Sequence, residues 1–184
     1  ISEAGKRYVN AALDSNRLSS GKYTEAFERL FSQYHDSRYG IFMNSGTSAL
    51  QVALAALKEF HDYQDGDEVI VPATTFIATS NVVIQNQMKP IFVDVRKDTF
   101  NIDPTRIYDA ITSRTKCLLP VHLFGLPADM SRIMKIAEKF NLQVLEDSCE
   151  TVAASVNGQS VGSFGDAACY SNYVAHHVVG GIGG

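Results

Sequence analysis

Gly66-Asp67-Glu68-Val69-Ile70-Val71-Pro72-Ala73-Thr74-Thr75-Phe76 is the stretch that decides the fold of this 184-residue chain. Its apolar run, Glu68–Val71, lacks the in–out alternation of a strand with one wet face, so it reads as a strand buried on both sides. Helical spacing follows at once over Phe76–Asn86. The same alternation continues downstream. Pro90–Val95 reads as a strand, and Asp103-Pro104 starts a helix that runs to about Ile111, with Asp at the N-cap and Pro at the first helical position. Lys116–Val121 is a predicted strand, Asp129–Phe140 a helix and Gln143–Glu146 a strand. Upstream, helical spacing covers 3–14 and 23–35, Arg38–Met43 reads as a short apolar strand, and Ala49–Phe60 as a strong helix. Gly162-Ser163-Phe164-Gly165-Asp166 turns the chain into a further strand ending near Ser171. Strands alternating with helices of about ten residues imply βαβ units: an α/β fold with a mostly parallel sheet and helices on both faces.

The bulk properties narrow the function classes. A chain of this length fits one large domain or slightly more, with a real core. Composition is that of a globular protein, 45% hydrophobic and 20% charged. A net charge of −4 and no Lys/Arg cluster argue against a nucleic-acid surface. No stretch reaches the roughly 18 apolar residues of a membrane span, and the first residues, from Ile1 to Lys6, have no apolar signal core. Cys117, Cys149 and Cys169 stand isolated in apolar contexts without metal-type spacing, as buried free thiols of a reducing cytoplasm. The closing Gly180-Gly181-Ile182-Gly183-Gly184 reads as the middle of a glycine-rich turn, as in a fragment of a longer protein.

In a parallel sheet, ligands bind beyond the carboxyl ends of the strands. Four places there carry candidate chemistry. Asn44-Ser45-Gly46-Thr47-Ser48 joins a strand to a helix start, which suits a phosphate through free amides and the helix dipole; a plain N-cap would use the same residue types. Phe76 could stack on a flat ring, and by itself reads rather as a core residue. Asp147 ends an apolar strand in Val144-Leu145-Glu146-Asp147-Ser148-Cys149-Glu150, where it needs a partner or serves as a cap. In Tyr170-Ser171-Asn172-Tyr173-Val174-Ala175-His176-His177, Ser171 and His176 complete the set. An Asp, then a Ser, then a Lys is how many pyridoxal phosphate (PLP) enzymes hold their cofactor: the Asp on the pyridinium nitrogen, the Ser on the phosphate, the Lys as Schiff base. Here His176 stands where the lysine is expected, and no Lys or Arg occurs after Lys139. His177 reads as structural or substrate-lining. Arg17, Lys22, Tyr23 and His122 could line a substrate or serve as surface and packing residues.

Together these segments resemble the DegT-type sugar aminotransferase family, PLP enzymes acting on nucleotide-linked keto sugars. The resemblance covers essentially the whole chain. It rests on Asn44–Leu50, Gly66–Phe76, Pro90–Val95, Asn101–Pro104, Pro120–Met130 (Pro-Val-His-Leu-Phe-Gly-Leu-Pro-Ala-Asp-Met) and Val161–Asp166, six segments in order. It implies the three-layer large domain of aspartate aminotransferase-like transferases over residues 1–184, truncated, without the small C-terminal domain. It also implies roles: Gly46, Thr47 and Ser48 around the cofactor phosphate with Ser171, Phe76 on the ring face, and Asp147 on the ring nitrogen. Glu150 stands near the ring hydroxyl where the family usually has Gln. The resemblance further implies a homodimer of chains roughly twice this length that takes a nucleotide-sugar substrate.

His176 resembles the sugar 3-dehydratase branch, which carries His in place of the Lys. Such a site holds PLP or pyridoxamine phosphate (PMP) noncovalently, and the histidine acts as base near neutral pH. One departure is Ile182, where the family usually has Glu. The expectation is therefore a 3-dehydratase-like enzyme of polysaccharide biosynthesis. The alternatives are an inactive or regulatory relative and a conventional aminotransferase with an unusual base.

Overall fold

In the computed structural model, which describes residues 2–17, 19–180 and 183–184, the deciding stretch is β1, Glu68–Pro72, with all five residues buried. It lies inside a five-stranded sheet of order β2-β1-β3-β4-β7, comprising β2 (Lys89–Val93), β3 (Thr115–Leu118), β4 (Gln143–Asp147) and β7 (Ala167–Cys169). Every pairing in it is parallel. The two-residue strands β5 (Ser155–Val156) and β6 (Gln159–Ser160) pair antiparallel, as a separate hairpin.

The helices are α1 (Glu3–Asp14), α2 (Lys22–Tyr34), α3 (Gly46–Phe60), α4 (Ile77–Gln85), α5 (Pro104–Ala110) and α6 (Met130–Phe140). Side chains of β1 divide between two cores. Val69 and Val71 pack with Leu50, Leu54 and Leu57 of α3 and with Val82 and Val83 of α4. Ile70 packs on the other face with Ile107 of α5 and with Ile133 and Ile136 of α6. Burying each such side chain stabilises the fold by about 1.5–3 kcal/mol before entropy is counted. Both faces are thus covered, as a continuous apolar strand requires.

Cap chemistry sets the helix starts. Asp103 accepts the amide hydrogen of Thr105 and Asp129 that of Arg132. The Arg38–Met43 segment is not a strand. Among the described residues its backbone pairing is confined to Met43, which exchanges two hydrogen bonds with Gly184; the neighbouring bridge, Ser45 to Gly183, falls beyond the segment. Strand β7 ends at Cys169, two residues short of Ser171. Cys117 and Cys169 are buried, whereas Cys149 is only partly so. Among the described residues no helix is long and apolar enough to cross a membrane.

Candidate active site

From β1 the chain passes to β2 on one side and later to β3 on the other, a topological switch at which parallel sheets bind ligands outside their carboxyl ends. The first candidate loop arrives there on α3. Ser45 Oγ accepts the Ser48 amide hydrogen at 3.1 Å, so the N-cap is real, and the Ser45 and Ser48 hydroxyls bond each other. This cap uses one first-turn amide and leaves the others without intrahelical acceptors. Gly46 is buried against the ends of β4 and β7: a Cβ there would lie 2.8 Å from Cys149 Sγ and 2.9 Å from Ser171 Cβ. Only a glycine lets the helix terminus come so close. Thr47 is exposed and Ser48 partly buried.

Asp147 ends β4 and is 4% exposed. Its Oδ2 accepts the Thr79 hydroxyl hydrogen at 2.9 Å, and its Oδ1 accepts the Cys149 amide at 3.2 Å. Burial pushes its carboxyl pKa above the ordinary range, against the lowering effect of the Cys149 and Thr79 hydrogen bonds and nearby His122. Glu150, partly buried, turns its carboxylate elsewhere: Oε2 accepts the Phe124 amide at 3.1 Å. Phe124 is held at φ 52°, in the left-handed region, with its ring exposed. His177 Nε2 donates to the Glu150 carbonyl at 3.1 Å, which makes His177 a brace for this turn.

Ser171 is 6% exposed, and its hydroxyl accepts the Tyr173 amide. His176 is partly buried, its ring edge-on to Tyr173 at 6.0 Å between centroids. Its Nδ1 is buried without a hydrogen-bond partner, as are Ser148 Oγ and Asn172 Oδ1 on the residues that follow Asp147 and Ser171. Buried polar atoms without partners are rare and ask for a reason. Phe76 is 66% exposed at the N-cap of α4, so the core reading of that residue is wrong. Its ring is open to solvent because it precedes, rather than joins, the buried face of α4. The Ile182 departure lies outside the described residues.

Two polar arrangements escape a reading by residue type. One is the Thr75–Thr79–Asp147 chain, with 2.8 Å between the threonine hydroxyls. The other is a buried pair, His122 and Glu146, both 0% exposed and 3.0 Å apart. His122 Nδ1 accepts the Ala128 amide, so Nε2 carries the hydrogen that Glu146 receives. Glu146 further accepts the amides of Gly162, Phe164 and Gly165. His122 is therefore a packing residue, not a substrate-lining one. Asp103-like cap spacing would not have revealed either group; the nearest signal was Glu146 inside an apolar strand, where an unpaired carboxylate could not stay.

A cleft of about 750 Å³ lies at the opposite end, by the amino ends of β1, β3 and β4, between Asp67, Thr115 and Gln143, and holds none of the candidate residues. Among the described residues no group of three His, Cys, Asp or Glu could hold a metal ion.

Known proteins share this sequence and geometry. A sequence model described as the DegT/DnrJ/EryC1/StrS aminotransferase family matches residues 1–184. GDP-perosamine synthase of Escherichia coli O157:H7 is 39% identical over 180 residues, covering 97% of this chain and 48% of the relative. GDP-4-keto-6-deoxy-D-mannose 3-dehydratase of Yersinia pseudotuberculosis is 35% identical over 178 residues, covering 96% and 45%. The solved structure of E. coli GDP-4-keto-6-deoxy-D-mannose-3-dehydratase with bound hydrated PLP aligns with a TM-score of 0.94 at 31% identity, covering 100% of this chain and 48% of that one. The chain spans about half the length of these relatives.

Proposed function

The chain belongs to the DegT/DnrJ/EryC1/StrS aminotransferase family, and from that premise we propose that it forms the cofactor-binding part of a cytoplasmic PLP/PMP-dependent 3-dehydratase acting on a nucleotide-linked keto sugar. The observation that carries the reading is His176 in place of the expected lysine, with Nδ1 buried and unpartnered, inside an otherwise matching frame.

The residues fit the cofactor on three counts. Gly46 seats the α3 terminus directly against Cys149 and Ser171, where any Cβ would clash. Asp147 is a desolvated carboxylate that a protonated ring nitrogen would neutralise. First-turn amides of α3 beyond the Ser48 cap suit a phosphate. In this reading Gly46, Thr47, Ser48 and Ser171 hold the phosphate, Phe76 covers the ring face, and Glu150 lies near the ring hydroxyl. Bound there without a covalent link, the cofactor supplies an electron sink for loss of the C3 hydroxyl of the sugar. His176 takes and returns the proton through a ring nitrogen, as an imidazole can near neutral pH. Phe76 and Phe124, both exposed, would shield the ring from water. The relatives' 3-dehydratase name supports the reaction class, and a homodimer is part of the same reading.

A second reading, amino transfer, draws on the 39% identity to GDP-perosamine synthase. Incubation with PMP, glutamate and a 4-keto-6-deoxy nucleotide sugar separates the two. A 3-deoxy product is expected. A 4-amino sugar as sole product would replace this reading with amino transfer, and no spectral change with PLP, PMP or sugar would point to an inactive or regulatory relative.

A further inference from the structure

Asp147 receives two hydrogen bonds: the Cys149 amide on Oδ1 and the Thr79 hydroxyl on Oδ2. Thr79 is 0% exposed. A threonine hydroxyl has a single hydrogen. Since that hydrogen goes to the carboxylate, the 2.8 Å contact between Thr75 Oγ1 and Thr79 Oγ1 must be one in which Thr75 donates. The direction Thr75 to Thr79 to Asp147 is thus fixed whenever Asp147 is ionised. It links the loop after β1, which also carries Phe76, to a carboxylate two strands away in the sheet.

The other titratable groups facing Asp147 are a histidine and two thiols. His122 is the nearby basic side chain, and both its ring nitrogens are engaged, by Glu146 and by the Ala128 amide. The thiols of Cys149 and Cys169 are pushed upward by burial and stay neutral, and as a neutral donor the Cys149 thiol lowers the Asp147 carboxyl pKa alongside Thr79. Against desolvation, the Cys149 side chain and amide and the Thr79 hydroxyl favour the carboxylate, and a chain of hydroxyls in a low-dielectric interior strengthens each link.

We infer that Thr79 is a positioning residue that keeps Asp147 ionised and oriented toward the cofactor ring nitrogen, with Thr75 polarising it from the site side. The inference rests on the reading of Asp147 as the ring-nitrogen partner, but its first test needs no cofactor. The Asp147 carboxyl, assigned by its loss in Asp147→Asn, is titrated by isotope-edited infrared spectroscopy in the cofactor-free protein. Thr79→Val is expected to move that titration upward by about one to two pH units, the weight of one hydrogen bond to a charged group. Thr79→Ser restores it, and Thr75→Val moves it in the same direction by less. PMP affinity follows, about tenfold or more weaker in Thr79→Val and recovered in Thr79→Ser. An Asp147 titration unmoved by Thr79→Val, or moved equally by Thr79→Ser, overturns the inference. The predicted shifts without any PMP uptake by the native protein leave the hydroxyl chain standing and remove the cofactor reading.

Discussion

Asp147 shows how much one residue of this site departs from what stability alone would select. Its carboxyl pKa is raised by burial, so in the folded state the charged form is disfavoured relative to the unfolded chain. The sign follows from linkage. Below the ordinary aspartate range, near pH 4, both states are protonated and the penalty is absent; it grows as pH climbs from there through the folded value. Asp147→Asn should therefore raise the urea midpoint of the cofactor-free protein at pH 7, leave it nearly unchanged at pH 3, and weaken PMP binding by about tenfold or more. A lower midpoint at pH 7 would mean that the Thr79 and Cys149 hydrogen bonds outweigh desolvation. In sequence, Asp147 and Gly46 stood out as candidates because a carboxylate ending an apolar strand needs a partner and a glycine permits close backbone approach, although a plain cap would use the same residue types. Thr79 did not: its bond to Asp147 spans 68 residues, and a threonine in a first helical turn looks like an ordinary cap-region hydroxyl.

At the level of elements, periodicity and caps located the helices and strands that pack locally, and failed where pairing is remote. Arg38–Met43 has the composition of a strand, yet its pairing among the described residues is of Met43 with Gly184, about 140 positions away, too little to make a strand. The end of β4 depends on remote groups in the same way. Glu146 gathers the Gly162–Gly165 turn and the His122 loop onto one buried carboxylate, and that turn launches β7 toward Ser171. Glu146→Gln keeps the shape but places an amide donor where amide hydrogens and His122 already donate. Loss of about 1–3 kcal/mol is expected in urea unfolding at pH 7, the scale of leaving buried donors without their acceptor. A change under about 0.5 kcal/mol, typical of surface positions, would show that the turn is held by its backbone alone.

Across the whole molecule, the apolar surface is unevenly spent. The sheet saturates both faces with helices, yet α1 has no buried residue and exposes Tyr8, Val9 and Leu13, while Tyr39 and Ile41 are each 73% exposed. A twelve-residue helix is marginal in water without a packed face, and contiguous exposed apolar surface marks an interaction site. On the proposed reading the exposed apolar face of α1 serves a homodimer. Self-association through a two-fold axis brings the same patch from each copy together, so one substitution acts twice. Sedimentation equilibrium should give twice the mass of the chain at micromolar concentration. Leu13→Glu should return it to a single chain if α1 lies in the interface, because each dimer would then bury two unpaired carboxylates. A single-chain mass for the unsubstituted protein would assign this apolar surface to something other than a second copy.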